Sequence, residues 1–318
     1  MAGLTTVLVL VLAVAVSSAV NRRPALAHPR PTTGPGQFGP PVPEVVTADR
    51  PLPAGASVQQ LRSGPDGYAH LVLHGAAMPP AADPQADLRE DIVWGQAGRL
   101  RGYRIVVPHG LPRSAPLVIA LPGYMQGRGL VQRQQQWARQ AVIGRFIAVY
   151  AAGYDGSWNA GLCCGSAASN RVDDVGYLDA LLTRVRATHV VDPRRVYLAG
   201  FSNGGMMAHR YACERAGAVA AIVSVAGPLE TFSCEPSQAV AVLQVQGLVD
   251  RTVPVGGVDY SGLLKARLRS AAGTVRVWRD VDGSAAPARL VLRPGLGHAW
   301  PVDGTALAWA FFAANPQR

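Results

Sequence analysis

Three residues in one order along this chain could carry acyl-transfer chemistry: Ser202, Asp250 and His298. A serine hydroxyl is a weak nucleophile at neutral pH, so it needs a base to take its proton and a third group to hold that base. Ser202 lies within Gly200-Phe201-Ser202-Asn203-Gly204, entered by an apolar strand-like run from Arg195 and left by a helix-compatible run through Met206 and Met207. On such a strand–turn–helix elbow the hydroxyl faces the positive end of the next helix, and small flanking residues let neighbouring backbone pass close. Downstream of Ser202 only two histidines occur, His209 and His298. His209 falls about two turns along the elbow helix and is carried away from the hydroxyl. His298 stands in Pro294-Gly-Leu-Gly-His-Ala-Trp-Pro301, a turn-rich loop after the strand-like run Ala288 to Arg293, and is the expected base. Among the acids between them, only Asp250 closely follows a buried-looking strand, Ala239 to Gln246, so it is expected to orient the imidazole.

These side chains need a scaffold, and the hydrophobic pattern supplies one. Tyr68 to Leu73, Tyr103 to Val107, Leu117 to Leu121 and Phe146 to Ala151 read as strands, while Val175 to Val185, Ser270 to Gly283 and Thr305 to Ala314 read as helices, the last with Trp309 and Phe312 facing the core. The strand ending at Leu121 opens into Pro122-Gly123-Tyr124, which is expected to form half of an oxyanion hole. Asn203 N–H would be one donor and Gly123 or Tyr124 N–H the other. The loop from Tyr154 to Gly165 leaves its strand on the same edge as the elbow, where Trp158 either walls a substrate pocket or pins the loop as a core residue. Asp173 and Asp174 precede a helix and read as a cap.

Several motifs together resemble a known family. Phe201-Ser-Asn-Gly-Gly-Met206, Trp158-Asn-Ala-Gly161 with Cys163-Cys-Gly165, Val172-Asp-Asp-Val175 and Gly297-His-Ala-Trp-Pro301 are similar to the secreted poly(3-hydroxybutyrate) depolymerase and feruloyl esterase group, over roughly residues 100 to 318. The resemblance implies an α/β-hydrolase fold, with a mostly parallel sheet flanked by helices, and carboxylic-ester hydrolysis; no cofactor is expected, and no metal, since the cysteines have neither a C-x-x-C spacing nor a histidine pair beside them. It places Ser202, Asp250 and His298 on the family's triad; Trp300, two residues after His298, joins Trp158 as a candidate substrate-binding residue. Pro122 and Gln246 stand where the family usually has histidine. Ser284 replaces a usual cysteine, and the stretch from Gly283 to the His298 loop is short. A more open pocket for bulky or polymeric esters follows.

A chain of 318 residues with 49% hydrophobic side chains can bury one large core. Its net charge of +10 is almost wholly arginine, Lys265 being the single lysine. No basic block is interleaved with aromatics, so nucleic acid is not an expected partner. Leu4 to Val20 is apolar and uncharged, and Ala25-Leu26-Ala27 offers a small-residue cleavage site. Residues 1–27 therefore read as an export signal or an uncleaved membrane anchor, residues 28–67 as a Pro/Gly-rich spacer and residues 68–318 as the catalytic domain. The string Gly34-Pro-Gly36-Gln-Phe-Gly39 within the spacer has neither the strand nor the helix that dinucleotide binding requires. Four cysteines, Cys163, Cys164, Cys213 and Cys234, suit disulfides in an exported protein. Joining the neighbours Cys163 and Cys164 would strain the backbone; if both pair elsewhere, each must reach Cys213 or Cys234, in an order the sequence leaves open. The expectation is an exported, monomeric serine esterase. An envelope acyltransferase with the same triad, or a non-catalytic binding protein on the same fold, are the alternatives.

Overall fold

Short runs of Val, Ile, Leu and Ala that are buried on both faces form the centre of the molecule. The computed structural model describes residues 57–63, 69–74, 86–94 and 100–317. Strands β1 (Ser57–Ser63), β2 (Ala69–His74), β3 (Ala86–Trp94) and β4 (Leu100–Pro108) are followed by β5 (Ala115–Leu121), β6 (Ile147–Ala151), β7 (Val191–Phe201), β8 (Ala221–Val225), β9 (Ala241–Gly247) and, later in the chain, β12 (Ala288–Arg293). Every residue of β5, β6, β8 and β9 is buried, as strands covered on both faces must be. The sheet order is β1-β2-β3-β4-β6-β5-β7-β8-β9-β12. Pairing is antiparallel from β1 to β6 and parallel from β6 to β12. A separate hairpin joins β10 (Val258–Ser261) to β11 (Ala266–Leu268).

Period-two alternation divides the core between the two faces of the sheet. On one face Leu117, Ile119 and Leu121 of β5 and Val242 of β9 pack against α4 (Asp174–Thr188), α5 (Asn203–Glu214) and α6 (Ala271–Asp282), with Met207, Tyr211, Val275 and Trp278 buried between them. On the other, Val118, Ala120, Leu243 and Val245 meet α1 (Arg128–Gln135), α2 (Trp137–Gly144) and α7 (Gly304–Ala313). Trp309 of α7 stacks on Phe146 at 4.2 Å, and Phe312 stacks on Tyr197 at 4.7 Å. One short helix, α3 (Gly165–Ser169), lies in the loop after β6.

The predicted helices sit within one residue or a turn of their observed bounds because their caps are local. Asp173 accepts from Gly176 N–H at 2.8 Å at the start of α4, and Ser270 accepts from Gly273 N–H at 3.0 Å at the start of α6. The segment read as spacer needs correction at its end: β1 occupies 57–63, so the sheet begins before residue 68. Polar Gln59 and Gln60 and the nearby Gly and Pro hide that strand from a pattern search. The export signal or anchor and the remainder of the spacer lie outside the described residues. Among the described residues no helix is long and apolar enough to cross a membrane.

Candidate active site

Four parallel strands end on the same edge of the sheet, and each carries one part of the site just beyond its last residue. Tyr124 follows β5, Ser202 follows β7, Asp250 follows β9 and His298 follows β12. Ligands of open α/β sheets bind at this edge.

Ser202 sits at φ 52° and ψ −124°, a strained conformation for a residue with a Cβ. The glycines permit it. A Cβ on Gly204 would fall on the carbonyl oxygens of Leu121 and Pro122, and one on Gly200 would fall on the Gly204 carbonyl. Ser202 N–H donates to Val225 O at 2.8 Å, which ties the turn to β8. The side chain is buried and its Oγ lies 3.0 Å from His298 Nε2. On the far side of the ring, His298 Nδ1 lies 2.8 Å from Asp250 Oδ2. Phe201 packs beside the imidazole at 4.9 Å between ring centroids. Asp250 is held from several directions: Oδ1 accepts from the N–H groups of Thr252 and Val253, both at 2.9 Å, and Oδ2 accepts also from Gln246 Nε2 at 3.2 Å. A serine bonded to an imidazole that is itself held by a buried carboxylate can pass its proton to the ring while attacking a carbonyl.

The two candidates for the second oxyanion donor are distinguished by their surroundings. Gly123 N–H is engaged by Gln126 Oε1 at 3.0 Å. The N–H groups of Tyr124 and Asn203 have no acceptor among the described residues. Proline at 122 removes no donor from this pair; its carbonyl instead accepts from Trp158 Nε1 at 2.9 Å.

Of the two positions open to Trp158, pocket wall and core, it occupies the core. It is fully buried, tilted against Tyr177 at 6.1 Å, with the Arg101 guanidinium 5.2 Å from its ring. The loop it pins is clasped by the residue after Ser202: Asn203 Oδ1 accepts from Trp158 N–H at 2.7 Å and Asn203 Nδ2 donates to Trp158 O at 3.0 Å. Asp174 secures the same loop, accepting from Asn159 N–H at 2.6 Å and from buried Arg101 at 2.5 Å. Trp300 does line the open cleft, together with His298, Phe201 and a row of glutamines.

The structure decides the cysteine pairing that the sequence leaves open. Cys213 at the end of α5 bonds Cys234, their Cα atoms 4.9 Å apart, which leaves Cys163 and Cys164 joined to each other. The Trp158 loop is therefore held by hydrogen bonds, with Cys164 Sγ only in contact with Met206 Sδ at 3.8 Å.

No family model matches the chain. It is 31% identical over 185 residues to NocK of Nocardia uniformis subsp. tsuyamanensis, a protein named as an esterase, covering 57% of this chain and 53% of that one. It is 29% identical over 183 residues to feruloyl esterase B of Piromyces equi, covering 54% of this chain and 33% of that one. The chain thus spans about half the length of the first relative and a third of the second. Among solved structures, LpqC of Bordetella parapertussis, a poly(3-hydroxybutyrate) depolymerase, superposes with a TM-score of 0.51 at 20% identity, over 72% of this chain and 89% of that one. The chain has an α/β-hydrolase fold. Its sheet order, elbow and edge loops are those of that fold, and its curated relatives carry esterase names.

Sequence reasoning missed one group of residues on this scaffold. Gln244 and Gln246 of β9, His209 of α5 and Trp278 of α6 are all buried and hydrogen-bonded in series up to Asp250. Gln246 alone carried a signal, as a departure from the family's usual histidine. Two polar residues spaced by two on an otherwise apolar, buried strand were the pattern that could have found the rest.

Proposed function

We propose that this chain is an exported serine esterase that cleaves carboxylic esters through an acyl-enzyme. The observation that carries this reading is His298, placed within hydrogen-bond reach of Ser202 on one side and Asp250 on the other. Ser202 Oγ attacks the ester carbonyl as His298 Nε2 takes its proton. Tyr124 and Asn203 N–H groups receive the charge that gathers on the carbonyl oxygen. The imidazolium then gives its proton to the departing alcohol, and water, activated by the same ring, releases the acid. Esterase names among the relatives support the reaction class. The Cys213–Cys234 bridge supports an oxidising, exported setting, as does the apolar run at Leu4 to Val20.

Because His298 delivers the proton to the leaving oxygen, the alcohol part of the ester departs on the side that the imidazole faces. A cleft of about 530 Å³ opens there, lined by His298, Trp300, Gln126, Gln134, Gln136 and Gln140. The amide side chains donate and accept hydrogen bonds and the Arg139 guanidinium beside them adds a cationic donor, a lining that suits a hydroxylated or polymeric alcohol part.

The test is hydrolysis of short p-nitrophenyl esters, methyl ferulate, acetylated xylan and a 3-hydroxybutyrate oligomer by the purified protein beside Ser202→Ala. The expected result is turnover lost by at least about a thousandfold in the variant. A folded wild-type protein that neither turns over any ester nor labels at Ser202 with a fluorophosphonate would leave a binding protein instead.

A further inference from the structure

A polar seam crosses the apolar layer between β9 and helices α5 and α6. Gln244 and Gln246 point to the same face of β9 as Val242, which belongs to the core beneath those helices. Buried amides in such a layer must find partners, and these find each other. Trp278 Nε1 donates to His209 Nδ1 at 2.9 Å; His209 Nε2 meets Gln244 Oε1 at 3.0 Å; Gln244 Nε2 approaches Gln246 Oε1 at 3.5 Å; Gln246 Nε2 donates to Asp250 Oδ2 at 3.2 Å and to Val253 O at 2.7 Å.

The direction of this series is fixed from both ends. An indole N–H can only donate, so the neutral His209 ring must accept at Nδ1 and carry its proton on Nε2, facing Gln244. A carboxylate and a main-chain carbonyl can only accept, so Gln246 must turn its NH2 toward Asp250 and Val253. These demands, made independently by Trp278 and by the Asp250 loop, meet through one imidazole and two amides without a donor facing a donor. Burial pushes the His209 pKa down to about 4, against hydrogen bonds to Gln244 and the Gly227 carbonyl, so the ring stays neutral under the conditions in which an ester-cleaving site works.

We propose that Trp278, His209, Gln244 and Gln246 are positioning residues that act as one directional hydrogen-bond chain, delivering a donor to Asp250 Oδ2 and so fixing the carboxylate that holds His298. The proposal rests on the esterase reading for its kinetic consequences, but not for its structural ones. If Gln246 turned over, its carbonyl oxygen would face the Asp250 carboxylate, acceptor against acceptor; if Gln244 turned over, its NH2 would face His209 Nε2–H and its oxygen the Gln246 oxygen. Trp278, far from Ser202 in sequence, therefore sets the orientation of the catalytic acid through the chain. Series of buried hydrogen bonds of this kind polarise one another, which makes the end groups sensitive to changes at the start.

The test uses the full chain in three forms: wild type, Gln246→Met, which keeps length but has no amide, and Trp278→Phe, which keeps an aromatic ring but has no N–H. Far-UV circular dichroism and thermal melts show that each is folded. With p-nitrophenyl acetate, Gln246→Met is expected to lower kcat about tenfold with KM within about twofold, and Trp278→Phe to lower kcat about threefold. Gln246→His, whose ring N–H can replace the amide donor, is expected to recover most of the loss. Histidine-selective 15N NMR gives a readout independent of turnover. Wild-type His209 is expected as the pure Nε2–H tautomer at neutral pH, a mixture in Trp278→Phe, and the downfield Nδ1–H proton of His298 is expected to move in both variants. A wild-type His209 with its proton on Nδ1, or a His298 signal unmoved in folded Gln246→Met, would overturn the chain whether or not the protein turns over an ester. Absence of turnover in a wild type that shows the expected signals would instead sink the esterase reading alone.

Discussion

Two aspartates in this molecule are buried to nearly the same degree and live in opposite surroundings. Asp250 is 5% exposed and Asp282 is 7% exposed. Asp250 receives Thr252 and Val253 N–H on one oxygen, and Gln246 and His298 on the other. Neither oxygen of Asp282 has a well-formed hydrogen bond; the Val240 amide comes close enough only to oppose in part the burial, which pushes its pKa up to about 6. Asp282 is also the last residue of α6, where the negative end of the helix dipole disfavours a carboxylate. Burial therefore does not identify a functional acid in this fold. The number of donors converging on it does, because an enzyme that needs a fixed carboxylate must supply the partners that water would otherwise provide.

The largest effect should come from breaking the satisfied member of the pair. In Asp250→Asn, Oδ1 can still accept from Thr252 and Val253, but an NH2 group would replace the oxygen that meets Gln246 Nε2 and His298 Nδ1, setting donor against donor. On the esterase reading, kcat for p-nitrophenyl acetate is expected to fall by about a thousandfold with a much smaller change in KM. A loss below tenfold in a folded variant would mean that Asp250 is not the group that holds the base.

The unsatisfied member should respond in the opposite sense, in stability and not in activity. Its folded pKa, about 6, is raised above the ordinary 3.8, so its contribution is fully present below about pH 3.8 and is lost as pH rises through about 6. Asp282→Asn removes the charge that burial penalises. The variant is expected to match wild type near pH 4 and to be more stable by about 2 kcal/mol at pH 8, read from thermal melts, with unchanged kcat. Glu230 adds a second, later slope. Burial pushes it to about 7 against the Arg269 N–H and the charges of Arg269 and Arg267, so wild type and Asp282→Asn should both continue to lose stability up to about pH 7. A pH-independent melting temperature in wild type would contradict both assignments.

How far the sequence carries this picture depends on whether a feature is local. Ser202, Asp250 and His298 are legible because each follows a recognisable strand, and the parallel topology gathers strand ends on one edge. The choice between Gly123 and Tyr124 is not legible, because it turns on whether the Gln126 side chain folds back onto Gly123 N–H. Cysteine pairing likewise depends on how α5 and the chain around Cys234 approach, which no spacing encodes. Strand β3 carries Arg89, Glu90 and Asp91, and that charge conceals it from hydrophobic pattern reading. The polar seam behind Asp250 is the sharpest case: its members come from α5, β9 and α6, and only packing makes Gln244, Gln246, His209 and Trp278 consecutive.

The smallest expected effect returns to the same contrast between satisfied and orphaned groups. Trp158 was expected either at the substrate or in the core, and its burial with Nε1 on the Pro122 carbonyl places it in the core. Trp158→Phe keeps an aromatic ring against Tyr177 and Arg101 but strips the donor from a buried carbonyl and leaves space where the larger indole was. A lost hydrogen bond of this kind costs about 1 to 2 kcal/mol. The loop should nonetheless hold its place, because Asn203 clasps the backbone of residue 158 and not its side chain. A lowered melting temperature with KM unchanged across p-nitrophenyl esters of increasing acyl length is therefore expected. A KM that rises with acyl length would instead put the indole at the acyl-binding surface, and would mean that this loop moves aside when substrate arrives.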